Sequence, residues 1–260
     1  MNTVIEVSNL VKQYDKSKEP AVRGISFEVG EGEFFAFLGP NGAGKTTSIS
    51  ILTTTLSKTS GDVRIAGYDV DREARQVREH IGIIFQQPSL DRSLTAEENI
   101  RFHACLYGMY NYHPTFRGMP AEYRNRVTEL AEVVGITDAL FRPIKKLSGG
   151  MQRKLEIIRS LMHTPKILFL DEPTQGLDAV SRRSLWEYID NVRHELGTTV
   201  FLTTHYIDEA EKVDRVCIVN HGEIAMCGTP DEIKRSCSKE NPSLEDAYVE
   251  FVLKTGGMAS

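Results

Sequence analysis

Apolar residues fall along this chain in two rhythms. In the first third they come in short blocks rich in Val, Ile and Phe: TVIEV, GISFEV and EFFAFLG. Such blocks predict strands. A glycine loop follows, then a helix from about Lys45. GDVRIAGYDV predicts one further strand, and IGIIFQ another that is apolar at nearly every position and so buried on both faces. From about Thr95 to Met162 the period becomes helical. Thr95 and Glu98 make a capping box ahead of NIRFHACLYGM. In MPAEYRNRVTELAEVVG, Tyr123, Val127, Leu130 and Val134 recur at helical spacing up to Gly135. KILFLD and TTVFLTTH, separated by the helix SRRSLWEYIDNVRHELG, predict a strand–helix–strand unit and a parallel sheet. DRVCIVNHGEIAMCG predicts a hairpin turning at Asn220–Gly222. Thr229 and Pro230 start a short helix, and Ser243 with Asp246 caps a last one, LEDAYVEFVLKT.

These elements predict an α/β protein with a sheet-bearing core over about 1–87 and 164–230, a helical subdomain inserted over 88–163, and a helical extension over 231–260. Composition narrows the classes. Of the 260 residues 40% are hydrophobic and 26% charged, as in ordinary soluble proteins. Net charge is −5, from 31 basic and 36 acidic residues, which argues against a nucleic-acid partner. No apolar run approaches the roughly 18 residues needed to span a bilayer, and the start MNTVIEVSNLVKQY lacks the blocks of a signal peptide. Work at a membrane would therefore need a partner there. Cys105, Cys217, Cys227 and Cys237 contain no C-x-x-C pair, and reduced thiols are expected.

The chemistry concentrates at strand ends. GPNGAGKT, Gly39 to Thr46, fits G-x-x-x-x-G-K-[ST] between an apolar strand and a helix. Its glycines allow backbone N–H groups to wrap phosphates. Lys45 would reach the β- and γ-phosphates and Thr46 would ligate Mg²⁺. ILFLDEP delivers Asp171 and Glu172 to the same edge of the sheet. Asp171 suits the Mg²⁺ shell, and Glu172 is placed to polarise an attacking water. TTVFLTTH delivers His205, which as neutral imidazole can hydrogen-bond the γ-phosphate. IGIIFQQ delivers Gln86, able to sense Mg²⁺ or water, with Gln87 the alternative one residue on. In LSGGMQ, Ser148 is a good N-cap, and Gly149 and Gly150 leave the helix mouth bare for an anion. Met151, Leu155, Ile158 and Met162 form the expected buried stripe behind it.

In combination these motifs resemble the ATP-binding subunit of an ABC transporter. The P-loop GPNGAGKTT, the Q-loop FQQP, the signature LSGGMQ, the Walker B segment ILFLDEP, the D-loop GLD and the switch TTH appear in family order over about residues 1–230. The resemblance implies a P-loop NTPase core with a mixed or parallel sheet, an antiparallel N-terminal β part, ATP with Mg²⁺, and ATP hydrolysis. It implies nucleotide contacts from Gly39, Pro40, Asn41, Gly42, Ala43, Gly44, Lys45, Thr46 and Thr47, and from Gln86, Ser148, Gly149, Gly150 and Asp178. Thr46, Gln86 and Asp171 would serve the metal, and Glu172, His205 and Lys45 catalysis. The signature of one chain would complete the site of a second, in a homodimer or a heterodimer. Tyr14 in KQYDK would stack on adenine, or is simply a surface tyrosine. LTAEENIRFHACLYG, TTHYIDEAE and SLEDAYVEF look like the drug-, lipid- or polysaccharide-export branch, which implies a membrane-spanning permease as partner and a place on the cytoplasmic face of the membrane. The residue after GLD, usually proline, is Ala179 here, and Gln175 occupies a variable position; neither removes a catalytic group. The alternative is a soluble ABC-type ATPase without a membrane partner. Leu90 and Leu94 in PSLDRSL either line a groove for a permease helix or fill a seam in the core.

Overall fold

Alternating burial builds the start of the chain. The computed structural model describes residues 2–15, 17–86 and 89–256. Strand β1 (Thr3–Lys12) pairs antiparallel with β2 (Val22–Gly30), burying Ile5, Val7 and Leu10 from one and Ile25, Phe27 and Val29 from the other. Strand β3 (Phe34–Leu38) is buried at every position, and the glycine loop leads from it into α1 (Lys45–Leu52). GDVRIAGYDV, expected as one strand, is instead a hairpin. Its β4 (Ser60–Ile65) turns at Ala66 and Gly67, with φ of +51° and +86°, into β5 (Tyr68–Asp69). Two successive residues at positive φ make a two-residue turn, and Ala-Gly announces it less plainly than Asn-Gly. Helix α2 (Ala74–His80) has Val77 as its buried residue, too little to register as an apolar period. The order continues with β6 (Ile81–Ile84), α3 (Ala96–Leu106), α4 (Ala121–Val134), α5 (Gly149–Leu161), β7 (Ile167–Asp171), α6 (Ala179–Leu196), β8 (Thr199–Thr204), α7 (Ile207–Ala210), β9 (Arg215–Asn220), β10 (Glu223–Gly228), α8 (Pro230–Arg235) and α9 (Leu244–Gly256).

The chain divides into two compact units. The first is built from Met1–Ile81, Lys166–Glu172 and Gly197–Ser260. It contains an antiparallel sheet, β2-β1-β4-β5, and strands of a mixed sheet in the order β10-β9-β3-β8-β7. Strand β3 lies parallel to both β8 and β9, and β7 lies parallel to β8. The α/β fold with an antiparallel β part is thus the one anticipated. Phe27, Phe35, Phe37 and Phe201 fill the space between the sheets, with ring centroids 4.8 to 6.0 Å apart. Because β3, β7 and β8 are parallel, Leu38, Asp171 and Thr204 all end at one edge, where α/β sheets hold ligands.

Antiparallel β9 and β10 carry a correction. Cys217 and Cys227 sit directly opposite each other, Cα atoms 4.1 Å apart, and are joined in a disulfide. Reduced thiols were expected because no C-x-x-C was present. A hairpin brings residues ten apart face to face, a pairing the spacing rule does not cover. Among the described residues Cys105 and Cys237 are free.

The second unit, Gly82–Pro165 with Pro173–Leu196, is helical. Thr95 and Glu98 form the anticipated capping box of α3, and α4 stops at Gly135 with φ +69°. Tyr123, Val127, Leu130 and Val134 are all buried. Helix α6 packs on α4 and α5, so the helical body takes in more than 88–163. The stripe on α5 also differs. Leu155, Ile158 and Met162 are buried, but Met151 is half-exposed, and Arg153 and Glu156 are buried in its place. They neutralise one another as an ion pair, 2.8 Å apart, which is how two charges enter an apolar face.

Candidate functional site

In the first unit the glycines of the P-loop are dictated by close approach. A Cβ on Gly39 would lie 2.2 Å from the Val219 carbonyl oxygen, and one on Gly44 would lie 2.6 Å from that of Ala21. Gly44, at φ +100°, is also the N-cap of α1 and offers no side-chain cap. The N–H groups of the helix mouth are therefore bare, which suits an anion. Exposed Asn41 and Gly42 form the loop's outer turn, and its far side is pinned by the Gly222 N–H, which donates to the Ala43 carbonyl at 3.0 Å.

Six side chains, of Lys45, Thr46, Asp171, Glu172, Thr203 and His205, converge at this loop. Lys45 is 4% exposed; its Nζ donates to the carbonyls of Gly39 (2.7 Å) and Pro40 (3.1 Å) and lies 3.5 Å from Glu172 Oε1. Burial lowers the Lys45 pKa, against the opposing pull of Glu172. The Thr46 hydroxyl donates to Asp171 Oδ1 at 3.5 Å, and the Thr203 hydroxyl donates to the same oxygen. Burial raises the Asp171 pKa, and these hydroxyl bonds partly offset it. Glu172 adopts φ +46°, a left-handed conformation rare outside glycine, and its N–H donates to the Thr203 carbonyl at 3.1 Å. Backbone strain of this kind gathers at active sites. His205 Nδ1 lies 3.1 Å from Glu172 Oε2, yet neither atom makes a hydrogen bond. The separation is right and the angle is not. A buried carboxylate oxygen with an unused lone pair is a place for a water proton. Tyr14 is 42% exposed, with its hydroxyl 3.3 Å from that of Thr47 on α1.

Together these groups offer an anion cradle, a hydroxyl–carboxylate pair and a base. Hard oxygen donors on Thr46 and Asp171 suit Mg²⁺, and the glycine cradle suits phosphates. The donor set therefore fits both groups.

The second unit holds the remaining predicted residues. Ser148 caps α5, its Oγ accepting the Met151 N–H at 3.3 Å, and leaves Gly149 exposed at the mouth. A Cβ on Gly150 would lie 2.8 Å from Ser181 Oγ. Asp178 accepts the N–H groups of Val180 and Ser181 at 3.0 and 2.9 Å, so it caps the first turn of α6. Gln86 is exposed and donates through Nε2 to Gln175 Oε1 at 2.7 Å. Gln87 lies outside the described residues. The reading of the sequence missed Thr203 and Arg153. Thr203 had a signal, since aligning ILFLD with TVFLTT as parallel neighbours sets Asp171 opposite Thr203.

Comparison with known proteins bears on this geometry. The ABC transporter family model matches residues 22–175. The daunorubicin/doxorubicin resistance ATP-binding protein DrrA of Streptomyces peucetius is 42% identical over 241 residues, 91% of this chain and 69% of that protein. The ATP-binding protein YbhF of Escherichia coli is 36% identical over 253 residues; the match takes in 96% of this chain but spans 42% of that relative's length. Among solved structures, the dimeric ATP-binding cassette MJ0796, in a post-hydrolysis state with ADP and Pi, superposes with a TM-score of 0.75 at 28% identity, covering 86% of this chain and 98% of that one.

Proposed function

The chain belongs to the ABC transporter family, and from that premise we propose that it is an ATPase subunit that powers export through a separate membrane-spanning permease. The observation that carries the reading is the convergence of Lys45, Glu172 and His205 beside the Thr46–Asp171 pair. In this reading the loop Gly39–Thr46 wraps the phosphates with its N–H groups, assisted by Thr47, and Tyr14 stacks on the adenine. Thr46 and Asp171 would hold Mg²⁺, and by the family resemblance Gln86 would serve the same ion; the cation would neutralise phosphate charge. Lys45 turns from the Gly39 and Pro40 carbonyls to the γ-phosphate. Glu172 Oε2 accepts a proton from the attacking water, whose oxygen bonds to the γ-phosphorus while the bond to the ADP oxygen breaks. His205 holds the water and γ-phosphate, and Thr203 keeps the Asp171 carboxylate turned toward Thr46.

The names of the relatives favour drug-like cargo, and the permease places the chain at the cytoplasmic face of a membrane. Among the described residues no helix is long and apolar enough to cross one. The bare mouth at Ser148, Gly149 and Gly150, with Asp178 of the D-loop, would complete the nucleotide site of a second copy or a similar chain. Mixing a Lys45→Ala chain with a Ser148→Arg chain tests both halves of the reading. Each variant alone should be inactive, while mixed dimers keep one intact site and regain phosphate release. Mixed dimers that form and stay inactive would refute completion between chains, and an inactive wild type would refute the ATPase reading itself.

The permease contact is proposed for a cavity of about 420 Å³ lined by Ser89, Leu94, Asn99, Phe102, Leu106 and Arg159. Leu106 and Phe102 are exposed apolar groups on α3, suited to the apolar face of a partner helix. Leu94 lines this cavity and Leu90 does not, so the two leucines separate. Leu94→Ser is expected to abolish permease binding while basal ATP turnover and melting temperature stay near wild type. A large fall in melting temperature with permease binding intact would assign Leu94 to the core.

A further inference from the structure

Glu209, on the short helix α7, is 1% exposed, and so is Thr204 at the end of β8. A carboxylate at that depth needs a donor. Thr204 supplies one: its hydroxyl donates to Glu209 Oε2 at 2.6 Å, a length typical of a hydroxyl bonded to an ionised carboxylate. A hydroxyl has one proton. With that proton directed at Glu209, the lone pairs of Thr204 Oγ1 are left for the Tyr206 N–H, which donates to it at 2.9 Å. The Thr204 carbonyl is held as well, by the N–H of Gly39 at the entry to the P-loop, 3.2 Å away. Thr204 and Tyr206 are thereby fixed on either side of His205. Tyr206 also lays its ring against the imidazole, with centroids 4.1 Å apart. His205 Nδ1, 3.1 Å from Glu172 Oε2, makes no hydrogen bond, so that atom does not hold the ring in place. The direction of the imidazole is set by the backbone around it and by the Tyr206 ring. All of these residues belong to the first unit.

We propose that Glu209 is a positioning residue for His205: its carboxylate orients the Thr204 hydroxyl, the hydroxyl anchors the Tyr206 N–H, and the histidine between them is held pointing at Glu172. This role rests on the one given to His205 above. It gives α7 a task beyond connecting β8 to β9. Without a strong acceptor at position 209 the Thr204 hydroxyl is free to turn its proton elsewhere, and the Tyr206 N–H loses the lone pair it donates to. An apolar side chain of similar size could fill the space but could not direct that proton.

The test is the NMR spectrum of the full chain labelled with ¹³C-histidine, read together with steady-state phosphate release. Among the seven histidines, His205 is identified by the signal lost in His205→Ala. In Glu209→Ala the His205 signal should move while those of the other histidines stay. In the same variant kcat should fall about 10–10²-fold, as for a small misplacement of a reacting group, with KM for ATP within about twofold of wild type. Glu209→Gln, which keeps an acceptor oxygen for Thr204, should bring back both the signal and most of kcat. An unmoved His205 signal in Glu209→Ala, or the signals of all the histidines moving together, would overturn the proposal and leave Glu209 an acid of the fold alone. So would a Glu209→Gln variant as impaired as Glu209→Ala. Should Glu209→Ala fail to fold, Thr204→Val removes the same bond from its other end and decides by the same signal. A wild-type chain that releases no phosphate would be a failure of the nucleotide reading, distinct from these results because the histidine signal needs no turnover.

Discussion

Glu172→Gln is expected to bind ATP normally and to lose about 10²–10⁴-fold in turnover, the usual contribution of a positioned general base. The reason lies in one atom. Glu172 Oε2 is buried and without a hydrogen bond, facing His205 Nδ1. An amide presented at that place has no lone pair basic enough to take a water proton. Turnover should fall without loss of nucleotide affinity, because the P-loop glycines and Lys45 are untouched. With ATP retained, the variant should persist as a dimer on size-exclusion chromatography. The substitution also removes the charge that favours protonated Lys45. The sign of the linked pH effect follows. Lys45 has a native pKa below its ordinary value, so the unfolded chain holds that proton more tightly and stability rises with pH across the interval. Without Glu172 the Lys45 pKa falls further, and the variant should be less stable than wild type at neutral pH. Near-normal phosphate release would reassign the base, with His205 the next candidate.

Asp171→Asn should move activity and stability in opposite directions. Turnover should fall below detection at ordinary Mg²⁺, since the charged half of the Thr46–Asp171 pair is gone, and a catalytic cation is worth several kcal/mol of charge stabilisation. The fold should nevertheless gain on the order of 1 kcal/mol, in the range of substitutions that relieve a functional strain. Burial raises the native pKa of Asp171 above its ordinary value. The native state therefore holds that proton more tightly than the unfolded chain, and stability falls as pH rises from the ordinary carboxylate range through the native pKa. Above the native pKa the ionised group carries the whole cost. Asparagine keeps an acceptor for the hydroxyls of Thr46 and Thr203 and sheds the charge. A rise of about 2–4 °C in melting temperature follows for a chain of this size, measured without nucleotide or metal, and it should shrink when the scan is repeated at acid pH. A lower melting temperature at pH 7 would mean that Asp171 supports the fold in its ionised form.

Much of this protein was determined by sequence alone, wherever the governing interaction is local. The P-loop needs glycine at particular steps, and GPNGAGKT supplies them. Thr95 with Glu98 and Thr229 with Glu232 close capping boxes within a single turn. His221 and Gly222, both at positive φ, turn the hairpin where Asn220–Gly222 predicted it. An apolar run ending in Asp171 and Glu172 states that a buried strand delivers two acids to its end. What only the tertiary structure decided are relations between residues far apart in the chain. Cys217 and Cys227 became a disulfide because two strands fold back in register. Thr203 became the hydroxyl that fixes Asp171 because β7 and β8 are neighbours. Glu172, at φ +46°, donates its N–H to the Thr203 carbonyl across that same strand pair. Arg153, which in sequence is one more basic residue on an amphipathic helix, is buried because Glu156 and three carbonyls from segments 20 and 67–68 residues away meet it there. Local rules act through a few bonds of one chain segment, whereas desolvating a charge is possible only where remote segments arrive to hold it.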